Sequence, residues 1–323
     1  MKKVIKKSII AILLLVFLVG LFACDNLNGH ERAEQFKSNV YTVVAESGET
    51  KQGSAVAVAE YEDGALLLSN YHVVQNADSI NVSGKRAELL GYSVYHDLAV
   101  LFIKGITAQN VVFSSSSAGK NYTIGNLGGD GIRVFEGENV SESGVITTDK
   151  LVGSGRKYVP VISTYSESGK GMSGGACLNE KGELVGITTY GDIGDGVGYA
   201  VPACIAEACV NAVLDGDREE LNIYGDGTIK MLNEYSYFGY RVDNRDEVTA
   251  NGFIGVVQVN GINVIKTGEN CPLSPGDMIT EFAGIKIDGK KSIVPLYSAL
   301  FTIMRDKKAV TAVTARGTFT ISD

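Results

Sequence analysis

Apolar residues in this chain come in short runs. Val40-Tyr41-Thr42-Val43-Val44, Gly53 to Val58, Ala65 to Leu68, Ser79-Ile80-Asn81-Val82 and Ala99 to Ile103 follow one another, each bounded by polar or glycine-rich sequence. Their length and β-branched content predict strands, and the lack of helical spacing between them predicts antiparallel pairing closed into a barrel. The second and third runs are predicted to form a hairpin across Glu62-Asp63-Gly64. Ser114 to Ser117 reads as a solvated loop and the glycine-rich Asn126 to Glu138 as a mobile one. A one-sided apolar stripe predicts a helix over Cys204 to Leu214, with Pro202 suited to its first turn, closing a first unit near Asp215-Gly216. After a linker from Asp217 to Leu232, read as holding a strand or two, the pattern changes. Strand-like runs resume at Tyr237, a helix-like stretch covers Ile293 to Met304, and a strand pair lies around Val310 to Ile321.

The first residues follow a different rule. Lys2, Lys3, Lys6 and Lys7 form a basic head, and Ile9 to Phe22 is almost wholly apolar. That run is shorter than the roughly 20 residues a spanning helix needs, so Met1 to Ala23 is predicted to be a targeting segment. It ends in Leu21-Phe22-Ala23-Cys24, which resembles a bacterial lipoprotein signal, although Phe22 is unusual in such a signal. The resemblance implies lipidation of Cys24 after cleavage; the alternative is an uncleaved anchor. Both place the body outside the cytoplasm on a membrane tether, with polar residues 24–37 as the spacer.

Composition adds exclusions. The chain has 323 residues, enough for about two domains. The net charge is −8, which argues against a nucleic-acid partner, since that would require a basic footprint. The five cysteines show no metal-ligand spacing. Cys204 and Cys209 fall five apart on the predicted helix, too far to be bridged. Cys177, Cys204, Cys209 and Cys271 are therefore expected as free thiols.

Candidate chemistry centres on Gly169-Lys170-Gly171-Met172-Ser173-Gly174-Gly175. A serine among glycines can sit on a turn that approaches a substrate closely, and the N–H groups of Gly171 and Ser173 could converge on a developing oxyanion. The serine needs a base, and the chain has three histidines. His30 stands in polar sequence just after the leader. His72 follows the apolar run Ala65 to Leu68, a good place from which to project into a cleft. His96 and Asp97 adjoin at the start of another strand and must face opposite ways, so Asp97 is assigned to the site and His96 to the outer surface. The resulting order, His72, Asp97, Ser173, is that of the chymotrypsin-type triad.

These strings resemble the HtrA/Deg family of trypsin-like serine proteases. Ser69-Asn70-Tyr71-His72-Val73-Val74 is similar to its (T/S)-N-x-H-V-V motif, Asp97-Leu98-Ala99-Val100-Leu101 to its D-(L/I)-A-(V/L)-(L/I) strand, and Gly171-Met172-Ser173-Gly174-Gly175-Ala176 to its G-N-S-G-G-(P/A) turn. Met172 departs from the usual Asn or Asp. Tyr190 follows Thr188-Thr189 in the segment lining the family's specificity pocket, which leaves the pocket's preference open. So does Glu167, six residues before Ser173, where an acid would suit a basic substrate, whereas the relatives prefer small aliphatic residues.

The resemblance implies a mostly β chain: a chymotrypsin-like double β-barrel over 38–216, a linker over 217–235, and a PDZ domain over 236–323. The PDZ resemblance rests chiefly on Leu273-Ser274-Pro275-Gly276-Asp277-Met278-Ile279. It implies a loop at Phe238-Gly239-Tyr240 that captures a peptide's C-terminal carboxylate, a peptide strand added beside it, and a pocket at Leu296 and Leu300; the bland alternative is that these side chains are core. It further implies polypeptide substrates, no metal or organic cofactor, and a homotrimer. A protease that rests collapsed until a peptide binds is one variant. An inactive peptide-binding scaffold is the alternative of another class, against which the complete triad weighs.

Overall fold

A computed structural model of the chain describes residues 27–114, 119–148, 157–166, 169–192, 196–224, 227–233, 236–305 and 308–322. The leader with Cys24, residues 115–117 of the predicted solvated loop, and Glu167 lie outside them. Among the described residues no helix is long and apolar enough to cross a membrane.

The first sheet contains β1 (Val40–Ser47), β2 (Glu49–Tyr61), β3 (Gly64–Ser69), β4 (Ser79–Val82), β5 (Lys85–Arg86), β6 (Glu88–Ser93) and β7 (Leu98–Lys104). Its order is β6-β7-β3-β2-β1-β4-β5. The predicted hairpin is present, with Tyr61 opposite Gly64 and Val56 opposite Leu68. β3 is buried along its whole length. Its side chains alternate between two cores, as the pleat demands. Ala65 and Leu67 pack with Val43, Val73 and Leu101, while Leu66 and Leu68 join Leu98, Val100 and Ile205. A strand covered on both faces reads as a continuous apolar run, which explains Ala-Leu-Leu-Leu.

The second sheet holds β8 (Lys120–Asn126), β9 (Ile132–Thr148), β10 (Lys157–Tyr165), β11 (Ala176–Asn179), β12 (Leu184–Asp192) and β13 (Val197–Pro202). Their order is β13-β12-β11-β8-β9-β10, and β10 pairs back onto β13, so these six strands close a barrel. The mobile loop expected over Asn126 to Glu138 is instead largely the start of β9, paired with β8 from Asn126↔Ile132 to Lys120↔Glu138. Alternating Ile132, Val134 and the facing Ile124 outweigh the glycines there.

One other expectation changes. The polar tether is not free spacer: α1 (Gly29–Phe36) begins at an Asn28/Glu31 capping box and buries Ala33 and Phe36 in the main core. His72 follows the apolar strand β3 as expected, in α2 (Tyr71–Val74), a single helical turn. The linker carries the strand or two expected of it, and both are paired into the sheets. β14 (Glu219–Glu220) lies parallel to β6, Leu221 and Ile223 are buried, and β15 (Ile229–Met231) bridges β10 to the next unit. The predicted helix at 204 is α3 (Ala203–Leu214), which Pro202 precedes.

The C-terminal unit continues the barrel sheet through β15 into β16 (Tyr237–Val242), β17 (Val248–Gln258), β18 (Gly261–Thr267) and β19 (Met278–Ile279). A second sheet of β20 (Glu281–Phe282), β21 (Ile285–Lys286), β22 (Val310–Thr314) and β23 (Gly317–Ile321) and helix α4 (Ile293–Arg305) complete it. Phe238, Tyr240, Phe253 and Phe282 form its aromatic centre, with ring centroids 5.1–6.3 Å apart. In the Leu273–Ile279 segment, Asp277 accepts from Ser274 N at 2.7 Å and from Arg316 Nε at 2.6 Å. Arg316 holds that carboxyl below its ordinary range. One continuous core contains both Val159 and Val161 of the barrel and Phe238, Leu296 and Tyr297 of this unit.

Candidate active site

β3 delivers Ser69 and Asn70 to the barrel rim, and the α2 turn then presents His72. Asn70 Nδ2 and Tyr71 N both donate to the Asp97 carbonyl, at 2.9 and 3.2 Å. Asp97 itself has φ +56°, in the left-handed region that asparagine and aspartate tolerate best among non-glycine residues. This backbone turn aims its carboxylate back at His72. The His72 backbone N–H donates to Oδ1 at 2.8 Å, and His72 Nδ1 lies 2.7 Å from Oδ2. Because an ionised carboxylate only accepts, the proton is assigned to Nδ1, which leaves Nε2 as the basic position. Asp97 is fully buried, whereas the His72 side chain is 22% exposed. Thr189 Oγ1 adds another bond to Oδ2, at 2.8 Å. Tyr190 stacks on the imidazole, with centroids 5.6 Å apart and planes 22° from parallel.

The serine turn is pinned from several sides. Gly171 and Gly174 have φ of +93° and +87°, and an added Cβ would lie 2.0 Å from Asn126 O at the first and 2.0 Å from Ser54 O at the second. Both positions therefore require glycine. Ser54, buried in β2, holds the turn as a hub: its N–H donates to Ser173 O at 2.7 Å, its Oγ donates to Gly171 O at 2.8 Å, and it accepts from Asn126 N at 2.9 Å. Met172 is buried, with its sulfur toward Gly125, so the departure at this position packs inward. Lys170 O accepts from Gly128 N at 2.8 Å. Across a planar trans peptide, the Gly171 N–H then points the opposite way from that carbonyl.

His72 and Ser173 line one cleft of about 700 Å³, together with Lys51, Gln52, Gly128 and Lys170. Lys51 Nζ donates to His72 O at 3.2 Å. The Ser173 hydroxyl donates to Thr189 O at 2.9 Å. Sequence reasoning missed Ser54 and Thr189 as supports. Their only signal was their place in the Gly53-Ser54-Ala55-Val56 and Thr188-Thr189-Tyr190 segments, which carry no distinctive chemistry. Among the described residues no group of three His, Cys, Asp or Glu side chains could hold a metal ion.

Other assignments are revised. His96 is not on the outer surface. It is completely buried, and burial pushes its imidazole down to about 3. His96 does turn away from the cleft, but in the turn of residues 94–97 before β7 rather than by strand alternation, and what covers that side is the C-terminal half of the chain. His30 stands on α1 near Tyr122. Phe238-Gly239-Tyr240 is not a loop but the middle of β16, paired on one side with β15 and on the other with β17. Phe238, Tyr240, Leu296 and Leu300 are all fully buried within the core. The run reads as a strand because its alternate aromatic residues meet Phe253 and Phe282, and because Ile229–Met231 satisfies its free edge. The four described cysteines are unpaired.

Residues 53–187 match the trypsin-like peptidase domain family. The chain is similar to trypsin-like peptidases over that span. It is 26% identical over 64% of its length to the serine endoprotease DegS of Haemophilus influenzae, covering 66% of that protein. It is 28% identical over 77% of its length to the periplasmic serine endoprotease DegP of Escherichia coli, covering 53% of it. The chain thus spans about half to two thirds of the length of the curated relatives it matches. The solved HtrA-type protease AlgW with tripeptide superposes with a TM-score of 0.55 at 22% identity, over 90% of this chain and 94% of that one. The fold is mostly β and of the chymotrypsin-like trypsin class. The matched domain and the relatives support a serine endopeptidase.

Proposed function

We propose that this chain is a membrane-tethered, extracytoplasmic serine endopeptidase of HtrA/Deg type that cleaves misfolded or exposed polypeptides. The observation that carries the reading is the buried Asp97 carboxylate bonded to His72 Nδ1 in the cleft that also exposes Ser173. Asp97 orients the imidazole and stabilises the imidazolium. His72 Nε2 takes the Ser173 proton as Oγ attacks the scissile carbonyl, then returns it to the leaving amine. The N–H groups of Gly171 and Ser173 receive the oxyanion. The extracytoplasmic setting follows the periplasmic relatives, and the tether follows Cys24 in the leader.

The C-terminal unit is read as a PDZ domain that binds polypeptide C-termini; Phe238, Tyr240, Leu296 and Leu300 are core in it, so the peptide site is not assigned to their side chains. A peptide adding to β16 would first have to displace β15. The assembly is read as a homotrimer. Ser173→Ala is expected to lower turnover of casein by on the order of 10⁴- to 10⁶-fold; casein cleavage at the wild-type rate by that variant rejects the assignment.

One observation favours a second reading, a resting or inactive peptide-binding scaffold: the Ser173 hydroxyl donates to Thr189 O, which occupies the proton that His72 must take. Fluorophosphonate labelling separates the two. Labelling of Ser173 supports the protease, and its absence even with added C-terminal peptides supports the scaffold.

A further inference from the structure

The residue before Asp97 faces away from the cleft into a polar pocket built by distant parts of the chain. His96 Nδ1 lies 3.0 Å from Ser93 Oγ, and its Nε2 lies 2.5 Å from the Tyr224 hydroxyl. Tyr224 belongs to the segment that leaves the barrels. Tyr297, from α4 of the C-terminal unit, meets the imidazole edge-on at 6.4 Å. Tyr95 meets it edge-on at 4.7 Å, and its hydroxyl reaches the carbonyls of Tyr158 and Met231, each at 2.9 Å. A neutral imidazole has one donor and one acceptor nitrogen, and two hydroxyls can satisfy both in either tautomer.

This matters because of the backbone next door. Asp97 is held at φ +56°, a conformation that costs a non-glycine residue on the order of 1 kcal/mol or more. Such a residue keeps its shape only where its neighbours over-determine it. On one side the constraint is the set of bonds to Asn70, Tyr71, His72 and Thr189. On the other it is the fixed ring of His96. Without that ring the peptide before Asp97 can relax toward ordinary strand angles and carry the carboxylate off His72.

We propose that His96 and Tyr224 form a latch through which the C-terminal half of the chain holds the Asp97 backbone, making His96 a positioning residue for the triad. The proposal rests on the serine-protease reading and extends it: residues after the barrels become part of the catalytic framework.

The test uses the full chain and Tyr224→Phe, which removes a single hydroxyl. Expected is a fall in kcat of about tenfold or more, with KM within twofold of wild type, at a temperature where circular dichroism shows the variant folded. The NMR resonance of the His72 Nδ1 proton, identified as the one abolished in Asp97→Ala, should broaden or shift in the same variant. His96→Phe should act in the same direction and more strongly. Folded Tyr224→Phe with kcat within twofold of wild type and an unchanged proton resonance overturns the latch. Wild-type protein that cleaves no peptide and resists fluorophosphonate would instead defeat the protease reading, and the proton resonance would still report on the latch.

Discussion

Thr189→Val offers the sharpest probe of how the carboxylate is held. The side chain is nearly isosteric and the site is buried, so the change removes the hydroxyl and little else. Asp97 receives three bonds of 2.7–2.8 Å, from His72 N, His72 Nδ1 and Thr189 Oγ1, and the substitution deletes the third. A hydrogen bond to a charged group contributes about 1.5–3 kcal/mol, and a buried acceptor finds no water in its place. The expected loss of stability is therefore about 2 kcal/mol, a drop in Tm of roughly 4–8 °C for a domain of this size. The Ser173 bond to Thr189 uses the backbone carbonyl and survives. Turnover should fall about tenfold at constant KM, the signature of a catalytic group losing its orientation rather than of lost substrate binding. Differential scanning calorimetry and initial rates on a fluorogenic peptide measure both. A Tm within 1 °C of wild type, together with kcat within about twofold, would refute the claim that Thr189 shares in holding Asp97.

Gly174→Ala should cost roughly 3 kcal/mol or more and abolish measurable cleavage, because the new Cβ meets Ser54 O, a backbone atom of a central strand that cannot swing aside; wild-type turnover in this variant would contradict the geometry of the turn. His96 predicts a pH dependence. Its folded imidazole is pushed by burial to about 3, below the ordinary 6.5, among Ser93, Tyr95, Tyr224 and Tyr297. The unfolded chain then binds a proton that the folded chain refuses. This contribution to stability is whole above about pH 6.5 and declines at about 1 kcal/mol per pH unit as pH falls toward 3. Urea titrations at pH 7 and pH 5 should show a smaller acid-induced loss for His96→Phe than for wild type, and equal losses would exclude the assignment. Burial pushes the thiols of Cys177 and Cys209 up to about 12, so neither should react with Ellman's reagent at pH 8 until the protein is unfolded; rapid native labelling of either would show that it is not buried as described.

The strand hairpin at Glu62-Asp63-Gly64 and the helices at 203–214 and 293–305 were legible because periodicity and turn residues act over a few positions. The same local logic failed wherever a distant partner decided the outcome. Glycines over 126–138 suggested a loop, yet β8 lay ready to pair with them. Polar residues after the leader suggested a spacer, yet Ala33 and Phe36 found a core to cover. Phe238-Gly239-Tyr240 has the composition of a binding loop and the fate of a central strand, since β15 and β17 occupy both its edges.

For the site, the order His72, Asp97, Ser173 and the glycines that Ser173 needs were fixed by residue type and spacing alone. Asp97 and His96 do face apart, yet not by strand alternation: both lie in the turn between β6 and β7, and the left-handed backbone of Asp97 sets their directions. What lay on each side was a matter of tertiary structure. Packing brought Thr189 onto the carboxylate, Ser54 onto the serine turn and Tyr224 onto His96, from positions 92, 119 and 128 residues away along the chain respectively. Hydrogen bonds between such distant residues leave no periodic trace in sequence, because their cost and reward are settled only once the core has closed around them.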